Sequence, residues 1–220
     1  MERKIKDKKE LIKLVSFLIM CDGGVYRFKN KNGNLNNAKF IINHTSKDYI
    51  EYCKNILENL TSVKIYNRKD YNVDGCTRLP QQRLETKCLP YFTNIRENLY
   101  NNGYKGISSH YLKLMDAECL AMLYMADGSI AYKGEAINSV TLNTKRLTEG
   151  DNKLLSNYIE NIFNIKSTIN RQNQYTYIRI KGKSIYKFFE IIKPFILNDF
   201  QYKIPNNELL LKYKQDDDIV

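Results

Sequence analysis

Two rhythms of apolar positions alternate along the chain, one with the period of a helix and one with the period of a strand. The run Leu11 to Asp22 is almost continuously apolar and stops at Gly23-Gly24, which predicts a helix ended by glycine. Strand-like runs follow at Val25 to Lys29 and Asn36 to Asn43, split by the turn-rich residues 30–34. Tyr49, Ile50, Cys53, Ile56 and Leu57 then fall at helical spacing within a predicted helix, Ser46 to Leu60. Strands at Val63 to Lys69 and Thr77 to Lys87, and a helix from Leu89 to Asn101, complete the first series.

The second half repeats the order. A helix from Leu114 to Asp127 ends at Gly128, strands run from Ser129 to Tyr132 and Ala136 to Asn143, and a helix covers Thr148 to Phe163. Strands at Lys166 to Arg171 and Tyr175 to Lys181 and a last helix, Ser184 to Leu197, follow. Each half reads αββαββα, so the fold class is α+β with an internal duplication. Three local matches anchor the repeat: Asp22-Gly23 with Asp127-Gly128 at the end of an apolar helix, Asn43 with Asn143 at the end of a strand, and Tyr104-Lys105 with Tyr202-Lys203. Asp22 and Lys105 lie 83 residues apart, Asp127 and Lys203 76. The boundaries drawn from this reading are a basic N-terminal arm (1–10), a first repeat (11–102), a linker carrying Lys105 (103–113), a second repeat (114–207) and a C-terminal tail (208–220).

Composition narrows the function classes. Of 220 residues, 43% are apolar and only 10 are Gly and 4 Pro, which supplies a core and excludes a low-complexity polymer. The longest strongly apolar run, Leu14 to Cys21, is far short of the roughly 20 residues that a membrane span requires, so no membrane partner is expected. Five scattered Cys with no Cys-x-x-Cys pair, and two His, fit neither a zinc ribbon nor a disulfide scaffold. The first ten residues mix acids and bases and carry no secretory leader pattern, so an intracellular protein is expected. Lys, Asn, Ile and Tyr make up 92 of the 220 residues, and their A/T-rich codons point to an AT-rich genome, that of an organelle (mitochondrion or plastid) or of a bacterium. The net charge of +11 fits either a polyanion partner, through counterion release, or simple solubility. The bases and amides concentrate in strand-like segments, which favours the polyanion.

Asp22 and Asp127 are chemically out of place. A carboxylate at the C-terminal end of a helix meets the negative end of the helix dipole and is unfavourable there unless a cation joins it. Taken alone, either Asp-Gly is an ordinary turn signal. Recurrence after an apolar helix in both halves points instead to divalent-metal ligands. If the two helices pack side by side, paired carboxylates holding cations suit phosphodiester hydrolysis, with Lys105 and Lys203 steadying the developing charge or serving as plain surface bases.

The segments VSFLIMCDG (15–23) and LAMLYMADG (120–128) resemble the two signature motifs of LAGLIDADG homing endonucleases of the two-repeat, monomeric type. SVTLNT, IIKPFIL and YKIP in the second half strengthen the likeness. Phe17 and Met122 stand where the family pattern has Gly, and Met20 and Met125 where it has an acid, while the final Asp is kept in both. The resemblance implies a saddle of two antiparallel four-stranded sheets lying on double-stranded DNA, with the signature helices packed at its centre. It further implies Mg2+-dependent cleavage of both strands across the minor groove, leaving short 3′ overhangs and promoting intron mobility, with Mn2+ expected to substitute. Asp22 and Asp127 are then the metal ligands and Lys105 and Lys203 the basic residues of the site. On the sheets, Arg27, Lys29, Arg78, Arg171 and Arg179 are candidates for guanine or phosphate, and Gln82, Asn138, Gln172 and Gln174 for adenine. Asn43 and Asn143 lie either near the scissile phosphates or in local turn hydrogen bonds. Two alternatives are an intron-splicing RNA maturase, whose partner is intron RNA, and a catalytically inactive DNA-binding protein of the same fold.

Overall fold

Asp7 opens the first helix, α1 (Lys8–Met20), by accepting the Lys9 amide, and Leu14 to Met20 are buried without a break. The computed structural model describes residues 4–68, 71–73 and 76–214; the side chains of residues 71–73 and 76–78 lie outside that description. The chain divides into two units, residues 1–104 and 105–220.

In the first unit α1 ends in a turn closed by Gly23 N–H on the Leu18 carbonyl. Gly23 is required there: a Cβ would lie 2.2 Å from the Phe40 ring and 2.7 Å from Leu18 O. Strand β1 (Gly24–Tyr26) pairs antiparallel with β2 (Lys39–His44). The predicted first strand extends to Lys29, but the regular ladder ends at Tyr26 and only a bridge from Lys29 to Leu35 continues it. Ser46 caps α2 (Lys47–Leu57), whose buried stripe is the expected Tyr49, Ile50, Cys53, Ile56 and Leu57. Then come β3 (Val63–Arg68), the short β4 (Tyr71–Val73) and β5 (Cys76–Arg78), β6 (Gln81–Thr86) and α3 (Pro90–Leu99). The predicted strand Thr77 to Lys87 is therefore two strands, broken at Leu79-Pro80, where proline has no N–H to give a ladder. Arg96 Nη1 donates to Val25 O (2.6 Å), and Val25 N donates to Tyr100 Oη (3.1 Å), tying β1 to the α3 end of the unit.

A two-residue pair, β7 (Tyr100–Asn101) and β8 (Tyr104–Lys105), marks the division. The second unit begins with α4 (Ser109–Leu112) and α5 (Ala117–Asp127). Helix α5 starts three residues later than predicted because Asp116 caps it, accepting Cys119 N–H at 3.0 Å. It is apolar all round, and Glu118 to Met125 are buried. Strands β9 (Gly128–Lys133) and β10 (Ala136–Leu142) form a hairpin with a bulge at Asn138. A capping box, Thr148 with Asp151, starts α6 (Glu149–Phe163), and left-handed Asn164 (φ 51°) ends it. Strands β11 (Ser167–Gln172) and β12 (Tyr175–Ile180) precede α7 (Ile185–Ile192) and α8 (Asn207–Leu211). The predicted last helix stops at Ile192 and gives way to a 3₁₀ turn at Lys193–Phe195 around Pro194.

The sheets are β1-β2-β6-β3 and β9-β10-β12-β11, each antiparallel. Setting aside the short β4 and β5, strand order within each unit is 1-2-4-3, so the duplicated α+β reading holds at the level of topology. One face of each sheet is covered by helices, with Phe40, Ile42 and Leu84 buried in the first unit and Val140, Leu142, Ile178 and Ile180 in the second. Among the described residues no helix is long and apolar enough to cross a membrane.

Candidate active site and nucleic-acid interface

Asp127 is the last residue of α5, and a network of polar groups surrounds it. Arg146 Nη1 donates to its Oδ1 at 3.1 Å and lies 2.9 Å from Oδ2. Its backbone carbonyl accepts Asn143 N–H at 2.7 Å, which pins the end of β10 to the end of the helix. Asn143 Nδ2 donates to Ser129 Oγ (3.0 Å), and Ser129 and Thr141 hydroxyls are 2.8 Å apart. Asn143 thus makes the local bonds that its position suggested. Gly128 follows because nothing larger fits: a Cβ would sit 2.3 Å from the Tyr124 carbonyl and 2.1 Å from its ring.

Lys203 belongs to the same helix end. Its Nζ donates to the Met125 carbonyl at 2.7 Å and to that of Tyr124 at 3.4 Å, while Tyr124 Oη donates back to Lys203 O at 2.8 Å. A cation on the last carbonyls is the favoured arrangement at a helix C-terminus and offsets the misplaced Asp127 carboxylate. Tyr124 is held edge-on by Phe188 and Phe189, with ring centres 5.3 and 5.6 Å away. Burial, then the neighbouring Tyr132 and Tyr202, push its hydroxyl far above the ordinary tyrosine range, so it stays a donor.

Asp22 sits differently. Helix α1 ends at Met20, Cys21 leaves the helical region (φ −79°, ψ −124°), and Asp22 is exposed two residues beyond the helix. It lies close enough to α2 to act on its buried groups. Burial first, and then Asp22 and Cys21, raise the Cys53 thiol well above its usual value. Tyr49 is raised well too, by burial first and then by Cys53, Cys21 and Asp22. Both groups stay neutral. Lys105 is half-buried on β8.

The donor chemistry at the two aspartates is hard oxygen. Among the described residues no three His, Cys, Asp or Glu gather into a cage. Single carboxylates of this kind suit a hard divalent cation that draws its remaining ligands from water and substrate phosphate.

The registers decide which strand residues face outward. Asn43 lies opposite Arg83, and Tyr66 lies opposite Arg83 from the other side, so Asn43, Tyr66 and Arg83 share the outer face. Gln82 has the parity of buried Leu84, is half-buried and donates to Asn67 Oδ1 (3.1 Å). Arg171 lies opposite buried Thr176 and so has helix-side parity, but its side chain is 67% exposed and pairs with Glu149 at the start of α6 (2.7 Å). Arg179 is on the outer face, its Nη2 donating to the carbonyl of the bulged Asn138 at 2.6 Å. Gln172 accepts from Lys145 Nζ (2.6 Å), and Gln174 is exposed in the hairpin turn after Asn173 (φ 54°). Arg27 Nε donates to Asn36 O (2.9 Å), Lys29 is exposed at its bridge, and Asn43 Oδ1 accepts from Arg68 Nη1 (3.4 Å). Arg78 is on β5, with a side chain outside those described.

Sequence reasoning passed over Arg146 and Asn152. Arg146 meets Asp127 from 19 residues away, a contact no local pattern encodes. Asn152 is fully buried and donates to Thr176 Oγ1 (2.9 Å) and Thr176 O (3.2 Å) while accepting from Thr144 Oγ1, which fixes the turn that carries Arg146.

A sequence profile of the LAGLIDADG DNA endonuclease family matches residues 15–188. A relative from Mycosarcoma maydis, "Probable intron-encoded DNA endonuclease 3", is 28% identical over 86 residues, which is 39% of this chain and 61% of that protein's length. The solved structure of the homing endonuclease I-WcaI bound to its DNA recognition sequence is similar, with a TM-score of 0.73 at 21% identity over 91% of this chain and 88% of that one. The structure of I-DmoI in complex with DNA and Mn has a TM-score of 0.54 at 19% identity, over 84% of this chain and 97% of that one. Motif, duplicated topology and profile agree across most of both units, and the chain belongs to the LAGLIDADG DNA endonuclease family.

Proposed function

We propose that this protein is a site-specific double-stranded DNA endonuclease that hydrolyses phosphodiester bonds with Mg2+, or with Mn2+ in its place. On this reading it cuts both strands across the minor groove of a long recognition site, leaves short 3′ overhangs and so promotes mobility of the intron that encodes it. The observation that carries the reading is the recurrence, in two units of the same strand order, of a carboxylate at or just beyond the end of the apolar signature helix, Asp22 in one and Asp127 in the other. Relatives of the same fold solved on DNA, one of them with Mn, support the choice of partner and of a divalent ion. The net charge of +11 supports a polyanionic partner.

Asp22 in the first unit and Asp127 in the second are the carboxylates that would each offer oxygen ligands to a divalent cation. When bound, the ion supplies polarisation of the phosphate and a lowered pKa for the attacking water. Arg146 neutralises Asp127 before the ion and the substrate arrive, and Lys203 keeps positive charge at the helix end beside it. Lys105 is the matching base assigned to Asp22. Arg27, Lys29, Asn43, Asn138, Asn143, Gln172, Gln174 and Arg179 contact the duplex, as phosphate anchors or base readers. The 11–102 and 114–207 repeats each cover half of the site, and the protein acts as a monomer. The A/T-codon composition fits an organelle or an AT-rich bacterium as the source.

The test is to incubate the protein with a library of randomised and AT-rich genomic duplexes in Mg2+ and sequence the cut ends. One long recognition sequence with 3′ overhangs is expected. Selective retention of structured intron RNA without any cut would replace the reading with that of a splicing maturase.

A further inference from the structure

We propose that Arg83 is a guanine-reading residue on the outer face of the first sheet and that Glu85 is the positioning residue that aims it. The inference deepens the endonuclease reading, on which it rests for the presence of DNA on this face. Strand β6 is an interior strand of the sheet, so Arg83 stands in mid-face with Asn43 on one side and Tyr66 on the other. Two positions along the same strand and on the same face lies Glu85, opposite Ile41 and Lys64.

An acid on the outer sheet face of a chain with a charge of +11 opposes phosphate binding unless it organises cations. Glu85 does organise them. One carboxylate oxygen accepts from Arg83 Nε and the other from Lys39 Nζ, whose ammonium also lies 5.1 Å from the centre of the Phe28 ring. Burial by itself would raise the Glu85 carboxyl; hydrogen bonds and charge from Lys39 and Arg83 outweigh it and hold the group below the ordinary carboxylate value.

A guanidinium fixed through Nε keeps its two terminal amino groups as a fork, and among the described residues Arg83 makes no hydrogen bond outside Glu85. That fork matches the O6 and N7 acceptors of guanine in the major groove. Among the described residues the other strand arginines each spend a terminal amino group within the protein: Arg179 on Asn138 O, Arg68 on Asn43 Oδ1 and Arg171 on Glu149. Arg27 is anchored through Nε as well, but on a carbonyl, without a carboxylate to fix its charge. A hollow of about 310 Å³ beside the trio is bordered by Lys39, Lys64, Lys87 and Tyr66, which gives backbone phosphates partners of their own and leaves Arg83 to the bases.

The experiment is a binding selection from randomised duplexes in Ca2+, with wild type, Arg83→Ala, Arg83→Lys and Glu85→Gln. Wild type is expected to select guanine at one position that Arg83→Ala no longer selects, with about 5- to 150-fold loss on that site and the other positions unchanged. Arg83→Lys, which keeps the charge but not the planar fork, weakens the same preference without abolishing it. Glu85→Gln weakens it at that same position only, a change that general destabilisation would not produce. Placing 7-deazaguanine there weakens wild type and leaves Arg83→Ala unaffected. Uniform weakening over all sequences, with the salt slope reduced by about 1, makes Arg83 a phosphate contact and overturns the proposal. Guanine selection retained in full by Arg83→Ala also overturns it. If wild type selects no duplex at all, the endonuclease reading itself falls, a result distinct from both.

Discussion

Replacing Lys203 by Met separates the structural part of this residue from any chemical part. The substitution keeps most of the aliphatic stem and removes the ammonium, which bonds the Met125 carbonyl at 2.7 Å and, near the limit, the Tyr124 carbonyl at 3.4 Å. One charged hydrogen bond contributes about 1.5–3 kcal/mol. A cation at the negative end of a helix adds about 0.3–1 kcal/mol, and the longer bond adds little. Lys203 is only half-buried, which keeps the sum at the lower end, about 2 kcal/mol. For a chain of this length that lowers the melting midpoint by roughly 4–8 °C. Urea unfolding followed by circular dichroism at pH 7 measures the free-energy loss and a thermal scan the midpoint, with Lys133→Met, an exposed lysine on β9, as the neutral control. Unchanged stability in Lys203→Met would refute the helix-end account and leave Lys203 a role in catalysis alone.

Three further outcomes follow from packing and charge. Gly128→Ala forces a methyl against the Tyr124 carbonyl and ring and disturbs the bond from Tyr124 to Lys203; a loss of about 2–4 kcal/mol is expected in the same unfolding assay. Gly150→Ala, in the first turn of α6 with only Thr148 Oγ1 within reach at 3.8 Å, is expected to stabilise by about 0.5–1 kcal/mol. Because the Glu85 carboxyl is held below its unfolded value, its contribution is present at neutral pH and lost as pH falls through the lowered folded value. The stability difference between wild type and Glu85→Gln should therefore stay constant from pH 6 to 8 and shrink below about pH 4, and a difference that grew in acid would reverse the assignment.

Much of the fold was legible because the signals were local. Ser46 capping α2 and the Thr148–Asp151 box starting α6 are short-range chemistry that a sequence carries openly. So is the glycine after each aspartate, which structure explains by the lack of room for a Cβ. The boundary errors have equally physical causes: Pro80 splits a strand, Pro194 ends a helix, and Asp116 caps one three residues late. Strand parity, set by Leu84 and Ile169, places Gln82 and Arg171 on the helix-side register, a distinction that the sequence already carried. Arg146 beside Asp127, and the trio of Lys39, Arg83 and Glu85, were not legible because each depends on chain segments that meet only after folding.

The aspartates carry the central claim, and one measurement addresses them directly: cleavage of the recovered recognition duplex in Mg2+ by wild type, Asp22→Asn and Asp127→Asn, beside their affinity for it in Ca2+. The account predicts that wild type cuts both strands, while each variant loses cutting and retains binding. Cutting of both strands at the wild-type rate by either variant would contradict it.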